Sequence, residues 1–168
     1  GALIMNAGID KGVISDVVEE VLCLDIDFNE LNLKKSEISF GYRSAPELQD
    51  KIIFSCFLKF THQDEEKLEK IRLEQLEKRR KTQPVEYPSC GSVFKRPPGY
   101  FAGKLIEDAG LKGFRKGDAM ISDKHAGFIV NLGQAKAKDV KYLIDKIQDV
   151  VLEKFNVLLE PEVRFLGF

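Results

Sequence analysis

The sequence predicts an α+β fold in two parts. Three observations carry this: β-branched and aliphatic runs fill the first 61 or so positions, a charged helix-like stretch follows abruptly at Asp64, and the remainder mixes amphipathic helices with short strands. A chain of 168 residues with 43% hydrophobic and 32% charged side chains has material for one or two packed cores and no compositional mark of disorder.

The elements follow in order. Ala2-Leu3-Ile4-Met5 reads as a short strand ended by Asn6-Ala7-Gly8, with Gly8 and Gly12 bracketing a tight turn. Val17 to Leu24 and Glu30 to Leu33 read as a hairpin turning at Asp25 to Asn29. After Phe40-Gly41-Tyr42-Arg43 and a proline-containing loop, Ile52 to Phe60 is the strongest strand of this part.

Asp64 to Lys81 then places Leu68, Ile71, Gln75 and Leu76 at helical spacing, acidic residues first and basic ones last, as the helix macrodipole favours. Its apolar stripe is short and its charges mixed, so a solvated surface helix is expected rather than a coiled coil or a basic arm. The domain boundary is set just before it, giving parts 1–62 and 63–168.

Pro84, Pro88, Pro97 and Pro98 mark an exposed, irregular region around Gly91-Ser92-Val93-Phe94-Lys95. Ala102, Leu105, Ile106 and Ala109 define an amphipathic helix ended by Gly110. Met120-Ile121-Ser122 and Phe128 to Asn131 read as strands, Val140 to Phe155 as the longest amphipathic helix, and Val157 to Leu166 as a final strand interrupted by Pro161.

Composition narrows the function. The 26 basic and 27 acidic side chains leave a formal charge of −1, which disfavours a nucleic-acid partner. No apolar run nears the roughly 20 residues of a membrane span, and no leader opens the chain, so no membrane partner and a cytoplasmic location are expected. Cys23, Cys56 and Cys90 are odd in number and form no C-x-x-C pair, so neither a disulfide framework nor a zinc site is indicated. Gly1 opens straight into an apolar run, and the chain reads as a piece of something longer.

Taken residue by residue, the chemistry is bland. Gly91-Ser92 in a proline-rich loop reads as a turn, and no G-x-S-x-G elbow surrounds it. His125 has no second His at ligand spacing and reads as a hydrogen-bonded structural imidazole; His62 reads as surface, and no metal is expected. Glu160 and Glu162 flank Pro161 at strand spacing, which fits a paired-carboxylate site or an exposed strand edge equally well.

The ordered set of segments is more specific than any one of them. Gly1 to Gly8, Phe40-Gly41-Tyr42-Arg43-Ser44, Gly91-Ser92-Val93-Phe94-Lys95-Arg96-Pro97, Ala102-Gly103-Lys104-Leu105-Ile106-Glu107 with Gly110-Leu111-Lys112-Gly113, Lys124-His125-Ala126-Gly127-Phe128 and Leu159-Glu160-Pro161-Glu162-Val163-Arg164 span nearly the whole chain. This set resembles the C-terminal portion of the UDP-N-acetylenolpyruvoylglucosamine reductase family. The resemblance implies the last part of a flavin-binding α+β domain over 1–62 and a substrate-binding α+β domain over 63–168.

It also implies the chemistry: NADPH reduces bound FAD, and the flavin passes hydride to the enolpyruvyl double bond of a UDP-sugar, UDP-N-acetylglucosamine enolpyruvate. By resemblance Ser92 is the proton donor, Arg43 grips the substrate carboxylate, and Glu162 helps position or protonate it. Lys95 and Arg96 meet the diphosphate, though some family members carry Asn where Arg96 stands here. Arg80 or Lys81 falls near another substrate contact, Tyr42 is a further candidate, and Asn6-Ala7-Gly8 lies near the flavin.

Two departures stand out. Ile9-Asp10-Lys11-Gly12 replaces the family's usual Ala-Tyr-Gly-Gly, and no Gly-rich pyrophosphate loop is found. The chain alone is therefore expected to hold FAD poorly and to be inactive; separately, a monomer is expected. A non-catalytic UDP-sugar-binding fragment lacking flavin is the alternative, and another flavin oxidoreductase of the same broad fold a third reading.

Overall fold

The sheet that organises the first 64 residues is built around Val18–Leu24, whose alternate side chains Val21 and Cys23 are fully buried. The structure, a computed structural model, describes residues 1–9 and 12–167 and divides into two compact units, Gly1–Asp64 and Glu65–Phe168.

In the first unit, β1 (Gly8–Ile9) pairs antiparallel with β2 (Gly12–Val13); Asp10 and Lys11, expected at the turn between them, lie outside the described residues. A second sheet has the order β4-β3-β5, with β3 (Val18–Leu24) central, β4 (Glu30–Lys34) and β5 (Ile52–Leu58). The predicted β3–β4 hairpin is present, Leu24 facing Glu30 across the Asp25–Asn29 turn. The inward side chains pack on Leu3, Ile38, Ala45 and Leu48. The outer side is polar along β4 but apolar along β5, where Ile52, Phe54 and Phe57 are each more than half exposed.

One expectation here fails. Ala2 to Met5 is not a strand but a run of turns closed by Met5 N–H to Gly1 and Ala7 N–H to Ala2 carbonyls. An apolar run of four has no period of its own, and local turn hydrogen bonds plus burial of Leu3 decided it.

The second unit opens with α1 (Glu65–Thr82), acidic in its first turn, basic in its last, and without a buried residue, as the solvated-helix reading required. Then come β6 (Ser89–Ser92), α2 (Ala102–Asp108), β7 (Arg115–Lys116), β8 (Ala119–Ile121), β9 (Phe128–Asn131) and α3 (Ala137–Phe155). The sheet order is β6-β9-β8-β7, antiparallel throughout. Leu143, Ile144, Ile147 and Val151 of α3 pack with Leu105 and Ile106 of α2 and with Ile121 and Ile129 of the sheet. Asp139 caps α3 by accepting the Lys136 N–H at 3.2 Å, and Asn156 ends it in the left-handed conformation, φ 54°. The Lys154 ammonium closes α2 by donating to the Ala109 carbonyl.

Two further expectations are corrected. The Ser89–Ser92 segment is a strand rather than an irregular loop, and the expected strand from Val157 to Leu166 shrinks to a single bridge between Pro161 and Phe94. Pro161 has no N–H to continue a ladder. Among the described residues no helix is long and apolar enough to cross a membrane, and no His, Cys, Asp and Glu cluster suits a metal ion.

Candidate active site

In the second unit the candidate residues gather where β6 ends. Ser89 faces Val130 and Ser92 faces Phe128, so β6 spends one more residue than β9 over the same length. That bulge falls at Gly91, whose φ of 82° disfavours any side chain, and it leaves Ser92 solvent-exposed at the strand's end.

The chain returning from α3 then docks beside it. Glu162 N–H donates to the Val93 carbonyl at 2.7 Å and Lys95 N–H to the Glu160 carbonyl at 2.9 Å. Ser92 and Glu162, far apart in sequence, are thereby held on adjoining backbone. The Glu160 carboxylate forms an ion pair with Lys95. Arg96 lies over the Phe101 ring, its guanidinium carbon 3.9 Å from the centroid.

Arg80 is near the C-terminus of α1, and its backbone carbonyl accepts from the Lys124 ammonium at 2.7 Å. Lys124 also pairs with Glu86, whose carboxyl is held below the usual range chiefly by its own backbone N–H and further by Lys124. Nothing in the sequence alone singled out this link from the β8–β9 connection to the end of α1. Lys81 pairs instead with Glu77 on the helix surface.

His125 is the satisfied imidazole that was expected: its Nδ1 accepts the Gly127 N–H at 3.1 Å, and its ring meets Phe128 edge-on. A cavity of about 460 Å³ flanks this region, lined by Ser89, Cys90, Val140 and Val163 among others; none of the candidate residues lines it.

In the first unit, Gly41 and Ser44 pair with each other, leaving Tyr42 and Arg43 as the two central residues of a tight turn. Arg43 is left-handed, φ 52°, and its guanidinium lies 5.2 Å from the Tyr42 ring centre. A non-glycine residue in that region is strained and needs support. Asn6, 7% exposed, supplies it: its Nδ2 donates to the Gly41 carbonyl at 3.1 Å, while its Oδ1 accepts the Ser15 N–H. Ala7 is exposed, and Gly8 is required by its own hairpin, since a Cβ there would meet Val13 at 2.4 Å.

Comparison with known proteins defines the family. Residues 83–166 match the family model for the C-terminal domain of UDP-N-acetylenolpyruvoylglucosamine reductase. The chain is similar to the UDP-N-acetylenolpyruvoylglucosamine reductase of Caldicellulosiruptor bescii, 52% identical over 99% of this chain and 54% of that protein. The reductase of Clostridium tetani is 48% identical, with 99% and 55% covered. The crystal structure of the reductase from Thermus caldophilus superposes with a TM-score of 0.84 at 40% identity, covering 98% of this chain and 58% of that one. The fold is thus the α+β architecture of that solved reductase. The chain belongs to the UDP-N-acetylenolpyruvoylglucosamine reductase family, and it spans about half the length of the curated relatives it matches.

Proposed function

We propose that this chain provides the substrate-binding and proton-donating part of a reductase that converts UDP-N-acetylglucosamine enolpyruvate to UDP-N-acetylmuramate in peptidoglycan synthesis, using FAD and NADPH in the cytoplasm. The observation that carries this reading is the Glu162 N–H to Val93 carbonyl bond, which docks the Glu162 backbone on the strand end that carries the exposed Ser92.

The reaction adds a hydride and a proton across a carbon–carbon double bond. Hydride leaves negative charge on the carbon next to the substrate carboxylate, and that carbanion-like centre is basic enough to take a hydroxyl proton. In this reading Ser92 gives that proton. Arg43 meets the carboxylate with a planar, permanently charged fork, and Tyr42 flanks it. Glu162 positions the enolic carboxylate. Lys95, Arg96 and Arg80 receive the nucleotide and its diphosphate.

The flavin is a different matter. The residues present do not form a cradle for it: the Asn6 amide is spent on Gly41 and Ser15, and the Gly8 backbone is committed to its own hairpin. The apolar outer side of β5, an edge strand bearing Ile52, Phe54 and Phe57, fits a unit completed by further polypeptide, because exposed apolar edges are otherwise aggregation-prone. In that reading the first unit is the end of the flavin-binding domain, and the second is the substrate-binding domain. The commitment of Asn6 and Gly8 to local contacts also fits a second reading, in which the chain acts alone as a monomeric UDP-sugar-binding module without flavin.

Calorimetric titration of UDP-N-acetylglucosamine enolpyruvate into the chain without FAD separates the two. Saturable binding supports an autonomous substrate module. Its absence, with binding restored in the complete flavin enzyme, supports the shared site. In the complete enzyme Ser92→Ala is expected to leave flavin reduction by NADPH intact while abolishing turnover; loss of both half-reactions together would sink the assignment of Ser92.

A further inference from the structure

Three hydrogen bonds, joined through the backbones of Gly127 and Val93, lead from the His125 imidazole to the segment carrying Glu162. Gly127 N–H donates to His125 Nδ1 at 3.1 Å; the Gly127 carbonyl accepts Val93 N–H at 2.9 Å; the Val93 carbonyl accepts Glu162 N–H at 2.7 Å. Val93 directly follows Ser92, and Ser92 is in register with Phe128, the neighbour of Gly127. The backbones of two residues, Gly127 and Val93, thus connect one imidazole nitrogen to the segments that carry both candidate groups.

The main chain of His125 is held as well. Its backbone N–H donates to Oγ of the buried Ser122 at 3.3 Å, and its backbone carbonyl accepts Phe128 N–H at 3.0 Å. Gly103 at the start of α2 and Gly127 wall the ring. A Cβ on Gly103 would stand 3.0 Å from His125 Cε1, and one on Gly127 2.9 Å from the same atom. Two glycines from separate motifs therefore have one physical reason, the width of this ring. An Nδ1 that accepts carries its ring proton on Nε2, so the contact with Gly127 requires an acceptor at that position and not merely a flat ring.

We propose that His125 is a positioning residue for the proposed reductase site, acting through Gly127 and Val93 to hold Ser92 and Glu162 in register. The inference rests on the reading of Ser92 and Glu162 given above. The coupling is positional, and a displacement of about 1 Å at a reacting group costs up to roughly 100-fold in rate. His125 touches neither substrate nor reacting atoms in this account.

The test uses two variants. His125→Phe keeps a flat ring and removes the acceptor; His125→Asn restores an acceptor close to the Nδ1 position. In the chain, amide hydrogen exchange is expected to accelerate about tenfold at Gly127, Val93 and Glu162 in His125→Phe, with the α3 core amides of Ile144 and Ile147 unchanged, the equivalent of one lost hydrogen bond. In the flavin-loaded reductase, the same variant is expected to slow substrate reduction by roughly 10- to 100-fold while flavin reduction by NADPH keeps its rate. His125→Asn is expected to restore both readouts most of the way. Equal acceleration at Ile144 and Ile147, or failure of His125→Asn to restore what His125→Phe loses, overturns the proposal in favour of a purely structural ring.

Ser92→Ala, assayed alongside, keeps the two readings apart. If Ser92→Ala still turns over, the reading of the site fails while the exchange result still reports on the hydrogen-bond line. If Ser92→Ala is inactive and His125→Phe is as fast as the parent, the positioning role fails while the reading of the site stands.

Discussion

The Asn6 side-chain amide donates to the Gly41 carbonyl at 3.1 Å, and so ties the start of the chain to the turn that presents Arg43. Its other end accepts the Ser15 N–H at 3.2 Å, so both halves of a 7%-exposed amide are satisfied. Asn6→Leu leaves the buried Ser15 N–H without its acceptor and the Gly41 carbonyl with Ser44 N–H as a donor, at an expected cost of about 1–3 kcal/mol to the first unit. Urea unfolding followed by a probe in that unit measures it. A change under about 0.5 kcal/mol, the range of ordinary surface substitutions, would show the amide to be dispensable.

The two glycines around His125 give a second test. Gly103→Ala drives a methyl to 3.0 Å from the imidazole and is expected to destabilise the second unit by about 1–3 kcal/mol, the usual range for overpacking. His125→Ala removes the obstructing ring, so the double variant should lose clearly less than the two single losses added together. A double-mutant cycle by thermal or chemical unfolding reads that coupling. Strict additivity would mean that Gly103 is required for something other than the ring.

The β3–β4 turn carries its own pH signature. Asp25 accepts hydrogen bonds from the Asn29 side chain and from the Asn29 and Asp27 N–H groups, and its carboxyl is held below the ordinary aspartate range, chiefly by the Asn29 side chain. A carboxyl whose folded pKa is depressed adds stability above its unfolded value, about 3.9, and that stability is lost as pH falls through the folded value. Asn29→Ala should therefore raise the Asp25 pKa and weaken the turn in neutral buffer. Carboxyl carbon shifts followed by NMR between neutral and acid pH would show both, and an unchanged Asp25 titration in Asn29→Ala would refute the cause assigned.

How much of this was legible depended on whether the signal was local. α3 stood out because Leu143, Ile144, Ile147 and Val151 repeat at the helical period and all four are buried. The β3–β4 hairpin and β5 were likewise written in β-branched runs bounded by turn residues. β6 was not, because Gly91 and the surrounding prolines describe a loop until the pairing with β9 overrides them. Pro161 shortened the last strand for a reason visible in the sequence, yet the docking of Glu162 on Val93 is a long-range backbone contact that no spacing encodes. The same holds for Asn6 and Gly41. Candidate residues were found by the resemblance of short segments, while what holds them in place depends on tertiary contacts.

Lys95 offers the most direct test of the diphosphate assignment, because in this structure its ammonium is paired with Glu160 rather than open to a ligand. Glu160 is the more exposed partner, at 68% against 28%, so the pair itself contributes at most about 1 kcal/mol to stability. A diphosphate arriving at Lys95 has to compete with that carboxylate. Glu160→Gln removes the competing charge and keeps the size of the side chain. It is expected to tighten UDP-sugar binding several-fold at low salt, with little change in unfolding midpoint, and the gain should shrink as ionic strength rises and screens the contact. Lys95→Met should weaken binding in either background and abolish the benefit of Glu160→Gln. Titration calorimetry across the four combinations decides it: weaker binding in Glu160→Gln alone would mean that Glu160 orients Lys95 toward the ligand, and a gain that survives Lys95→Met would move the diphosphate to another cation.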